Sequence, residues 1–87
     1  MYVNEMIKLY RKTVKAIENF EREQNAINNC TINGDMEYIA EHAKNLAKWA
    51  KVITEILDSC KETYFQNIKD NLENETAFVV YMIKKGF

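Results

Sequence analysis

The sequence predicts an all-α fold: an antiparallel hairpin of two long helices followed by a C-terminal helical segment. Three observations carry this. Ile39, Ala43, Leu46, Ala50, Ile53, Leu57, Cys60 and Tyr64 recur at alternating three- and four-residue steps, the period of one helical face. Proline is absent and the only glycines are Gly34 and Gly86, so neither strong breaker falls between them. The segment Asn28-Asn29-Cys30-Thr31-Ile32-Asn33-Gly34-Asp35 loses the period and gathers turn-forming residues. With 87 residues and 47% apolar content, the chain is expected to form a single domain over 1–87.

Helix 1 is expected over about 3–28. Met6, Tyr10, Thr13, Ile17, Phe20, Gln24 and Ile27 set its seam, flanked by Val3, Ile7 and Val14. A turn at 29–35 follows, in which Asn33-Gly34 suits positive φ and either Gly34 or Asp35 caps the next helix.

Helix 2 is expected over about 36–73, with Ala43 and Ala50 allowing close approach of helix 1. The pattern Ser59-Cys60-Lys61-Glu62 matches a capping box, so the helix either continues or breaks near 58–60. The bundle then has three helices or four. Asn74 is a cap for a last helix over about 75–85. Ala77 to Ile83 is apolar on every side, which calls for cover from a second copy or a partner protein.

Charge and composition narrow the function. A net charge of -1 lacks the basic excess of a dedicated nucleic-acid binder. The seven-residue apolar run at 77–83 falls far short of the roughly twenty residues that span a bilayer. The opening residues show no charged segment followed by an apolar stretch, so a cytoplasmic location is expected. Cys30 and Cys60 fall roughly 40 Å apart in the predicted hairpin and are read as free thiols. Two matches to the glycosylation pattern, at Asn29 and Asn74, are unremarkable among ten asparagines. Asn, Lys, Ile, Tyr, Phe and Met supply nearly half the chain, as AT-rich coding sequence would.

No catalytic or cofactor motif is present. His42 is the only histidine, its helical neighbours Tyr38, Ile39, Asn45 and Leu46 are poor metal ligands, and no adjacent acid orients it. Neither cysteine has a visible activator, and there is no glycine-rich phosphate loop. No enzyme activity, cofactor or metal site is expected.

Small helical proteins of this kind work by presenting a surface. Tyr38, His42, Trp49 and Ile56 form a second stripe beside the seam of helix 2, which is either packing or a partner-binding edge. Phe78, Tyr81 and Met82 of the last segment are the other candidate contacts. Lys8, Arg11, Lys12 and Lys15 of helix 1, with Lys48 and Lys51 of helix 2, form basic stripes that are either solvated or contact phosphate. The expectation is a non-catalytic, self-associating interaction protein, plausibly a small inhibitor of a host protein encoded by a phage or other mobile element. One alternative is an oligomer that sequesters a small ligand or nucleotide. A weaker one is a nucleic-acid binder using the helix 1 stripe.

Overall fold

The computed structural model describes residues 1–87 and contains four helices and no strand. They are α1 (Val3–Asn33), α2 (Met36–Ser59), α3 (Phe65–Lys69) and α4 (Glu75–Lys84). α1 packs antiparallel against α2 and along α4. At 1.5 Å per residue α1 is about 46 Å long, so it alone accounts for the 48 Å long axis of a molecule about 20 Å across. No helix is long and apolar enough to cross a membrane.

α1 outruns its expected end at residue 28, and the turn expected at 29–35 shrinks to Gly34 and Asp35. The turn-forming residues of 29–33 are helical in the last turn of α1, where only Thr31 has a side-chain partner. Thr31 Oγ1 donates to the carbonyl of Ile27 at 2.9 Å. The helix then closes by a left-handed C-terminal motif: Gly34 takes φ 79, and the N–H of Asp35 donates to Cys30 O at 2.9 Å. Gly34 therefore ends α1 rather than capping α2, and Asp35 stands at the N-cap of α2 without a side-chain bond.

The chain breaks after Ser59, so the longer helix expected to residue 73 divides into α2 and the five-residue α3. The expected capping box does not form. Ser59 is the last residue of α2, and its hydroxyl donates back to Glu55 O at 3.0 Å. Lys61 takes φ 51, which turns the chain, and Tyr64 leaves the seam to lie 69% exposed. Asn74 caps α4 as its sequence predicts, its Oδ1 accepting from Ala77 N–H at 2.8 Å.

The predicted seams lie mostly on the inner faces, with Met6, Thr13 and Cys60 buried and most of the rest half-buried, but each departs from the pattern in places. In α1 the buried positions are Met6, Thr13 and Ala16, whereas Gln24 is exposed and its neighbour Glu23 faces the partner helix. In α2 Ile56 and Cys60 are buried while Ala43 is exposed. The inward line of α2 thus runs between the two predicted stripes, through His42, Trp49, Ile53, Ile56 and Cys60. Of the two alanines expected to allow close approach, Ala50 is half-buried and Ala43 is exposed, while Thr13 and Ala16 are the small residues that α1 buries.

Burial divides the molecule. Every buried residue, namely Met6, Thr13, Ala16, Ile56, Cys60, Ile68, Phe78 and Met82, lies at or before position 16 or at or after position 56. This is the base, where α3 and α4 cover one side of the hairpin. Tyr10 and Phe78 rings meet there at 5.8 Å, and Arg11 pairs with Glu75 at 3.3 Å. Residues 17–55 contain no fully buried residue. The root of this segment meets the base, where Trp49, Val52 and Ile53 pack against the core and Glu21 pairs with Lys69, and beyond that it forms a two-helix arm with a half-buried seam.

Candidate interaction surfaces

Phe78 and Met82 lie fully buried inside the core of the base, so neither is a surface contact. The apolar segment that called for outside cover is covered by the chain's own hairpin, leaving only Val80 (42%) and Ile83 (53%) exposed on α4. Tyr81 is half-buried, and its hydroxyl is already committed, donating to Glu62 at 2.7 Å.

Glu62 is the polar hub of the base. Its carboxylate accepts from Thr63 N–H (3.1 Å), Tyr64 N–H (3.4 Å), Asn67 Nδ2 (3.2 Å), Tyr81 Oη (2.7 Å) and Lys85 Nζ (2.9 Å). The Lys85 ammonium first, then the Tyr81 and Asn67 donors, hold its carboxyl down to about 2. Burial, together with the bond to the Glu62 carboxylate, pushes the Tyr81 phenol well above its ordinary value. The Lys85 ammonium also donates to Lys61 O at 2.9 Å, tying the left-handed residue to α4. This cluster joins the α2–α3 loop to the last helix. Sequence reasoning reached Glu62 only as part of a capping box, since its partners on α4 are 19 and 23 residues away.

The two thiols are free. Cys60 is buried beside this hub, and burial pushes its thiol up to about 11, so it is an unactivated core residue. Cys30 lies half-buried in the last turn of α1.

His42 does have an orienting acid: its Nδ1 stands 2.6 Å from Glu23 Oε2 of α1. The expectation that no acid serves it is corrected, because the acid comes from the opposite helix, 19 residues away. No serine, threonine or cysteine bonds the ring, so the pair lacks the nucleophile of a catalytic triad and acts as a polar cross-tie within the arm. Tyr38, one turn nearer the tip, is 52% exposed. Trp49 is half-buried at the edge of the core, with the Lys48 ammonium 5.4 Å from its ring centroid.

The chain matches no family model, no curated protein and no solved structure.

Of the basic stripe, Arg11 is paired with Glu75, while Lys8, Lys12, Lys15, Lys48 and Lys51 are exposed and make no ion pair. A shallow groove of about 340 Å³ opens on the arm between Gln24, Asn25, Ile27, Asn28 and Leu46. It presents amides and two aliphatic side chains but no ring and no cation. A nucleotide pocket of stacked aromatics and lysines is therefore not built by one copy of the chain. At the tip, Ile32 (80%), Met36 (67%) and Tyr38 (52%) leave large apolar side chains in solvent.

Proposed function

We propose that this chain is a non-catalytic interaction protein whose base holds a two-helix arm out to bind another macromolecule. The observation that carries the reading is the burial pattern: no residue between 17 and 55 is fully buried, while large apolar side chains at the arm's tip stand in solvent. A protein that only needed to fold would gain stability by covering that surface, at about 25 cal/mol per Å² of apolar area. The partner-binding edge centres on the exposed Tyr38; His42, bonded to Glu23, and Trp49, packed against the core, lie on the inward line of α2 and contribute to it only through their partly exposed edges. Tyr38 supplies an exposed ring, His42 a fixed polar edge and Trp49 a half-buried platform, a mixture common at interface hot spots. The unactivated Cys60 thiol and the absence of a nucleophile at His42 support a non-catalytic role. Small size and a composition like that of AT-rich genes suit a stoichiometric inhibitor of a host protein, carried by a phage or mobile element.

A photo-crosslinking amino acid placed at Tyr38 of the full chain, in cells, tests this. A discrete adduct with a foreign macromolecule at position 38, without one at exposed Val80 of the base, is the expected result. Adducts at neither position, or the same adducts at both, would remove the arm as the binding element.

A further inference from the structure

We propose that the arm also pairs with a second copy of this chain, antiparallel and two-fold symmetric, along the outer side of α2. The argument starts from the order of residues there. Met36, Ala40, Ala43, Ala47 and Ala50 follow one helical line, and each is succeeded by a charged residue: Glu37, Glu41, Lys44, Lys48 and Lys51. At 100° per residue the charged line flanks the small-residue line along its whole length. All ten positions belong to the arm, and all but half-buried Ala50 are exposed. None of these charges makes an ion pair within the chain.

The charge order selects the occupant. The line is acidic toward the tip, at Glu37 and Glu41, and basic toward the base, at Lys44, Lys48 and Lys51. A parallel second copy would set like on like. An antiparallel copy related by an axis near positions 42 and 43 sets Glu41 opposite the partner's Lys44 and Glu37 opposite the partner's Lys48. Symmetry repeats each pair, so the surface complements itself. The same register sets Met36, 67% exposed, level with position 49 of the second copy, next to its Ala50 on the small-residue line. Alanines at the contact let the two helices approach near the lower end of the usual 8–10 Å interaxial range.

This goes beyond the foreign-partner reading and uses a different side of α2. Tyr38 and Ala40 are two residues apart, hence about 160° apart around the helix. The two surfaces share Met36 and meet at Lys48, which stands over the Trp49 ring, but a second copy on the outer side of α2 leaves the Tyr38 ring open.

The test is the solution mass of the full chain by light scattering and sedimentation, from micromolar to millimolar concentration. The expected mass is twice 10.3 kDa. Glu41→Lys and Lys44→Glu, each alone, turn two symmetric attractions into repulsions and are expected to weaken association about tenfold. The two substitutions combined restore opposite charges and are expected to recover it. Ala43→Arg, at an exposed position, is expected to leave helicity by circular dichroism unchanged and yield a monomer. A wild-type monomer throughout the range overturns the proposal. So does a dimer whose mass ignores all three variants, or a double variant no better than the singles. A monomer that still forms a foreign adduct at position 38 removes the pairing alone, and a dimer without that adduct removes the proposed function alone.

Discussion

Glu62 accepts five hydrogen bonds from three parts of the chain, and only its ionised form can accept all of them. Its carboxyl sits at about 2 in the folded protein against an ordinary 4.5, so the folded state resists protonation more than the unfolded chain does. Folding stability from this group is complete above the ordinary value and falls as pH drops from about 4.5 to about 2. The opposite sign holds for Cys60 and Tyr81, whose values are raised: their contributions are complete below the ordinary values of 9 and 10 and are lost as pH rises past them. Urea unfolding at a series of pH values is therefore expected to show a plateau with a decline on each side. In Glu62→Gln the acid decline should flatten and the plateau should lie lower, because a neutral amide cannot replace the charge-assisted bond to Lys85. An acid limb as steep in the variant as in the wild type would place the titrating groups elsewhere.

Single caps decide where the elements stop, and they were unequally legible. Asn74 was readable because an N-cap acts within three residues of itself, and its bond to Ala77 N–H is local. Asn74→Ala is expected to cost about 1 kcal/mol by chemical denaturation, and a variant as stable as the wild type would show that α4 is held by the packing of Phe78 and Met82 alone. Gly34 was legible as a positive-φ position, and it takes φ 79, but it closes α1, whose end was expected near residue 28. The residues before Gly34 misled because asparagine and threonine are only weakly unfavourable in a helix and favour turns as a tendency, which the last turn of α1 overrides. The seams were mostly legible and departed from the pattern in places for a different reason. Two apolar stripes lie side by side on α2, and periodicity gives the spacing of a stripe but not which one faces the neighbour. What settled the register was the packing of α4 against Tyr10 and the tie between His42 and Glu23, both long-range and invisible to a local pattern. The apolar run at 77–83 overstated its need for outside cover for the same reason: the face that receives it is built by residues 6–16 and 56–60.

At the scale of the whole molecule, one continuous helix crosses two environments. α1 begins in a base where Met6, Thr13 and Ala16 are sealed by α2 and α4, is touched by α3 at Glu21 through Lys69, and ends in an arm where α2 is its main helical neighbour. In proteins most helix stability comes from tertiary packing rather than propensity, so the arm depends on the α1–α2 seam, on the Glu23–His42 tie and, at its root, on the Lys69–Glu21 pair. Local opening should follow burial: amides from Phe20 to Cys30 and from Met36 to Lys48 are expected to exchange hydrogen about tenfold or more faster than those around Thr13, Ile56 and Phe78. Within α1 protection should fall from the Thr13 side toward Ile27, although the backbone hydrogen bonds are of the same kind throughout. Ala16→Val would overfill the sealed end and lower the most protected amides first, whereas His42→Ala would speed exchange in the arm and spare the base. Concentration then separates the remaining accounts. Protection of the arm that rises with protein concentration indicates that a second copy is the missing cover. Uniform protection along α1 at every concentration would mean that base and arm open together, and the division into a holding base and a presented arm would fall.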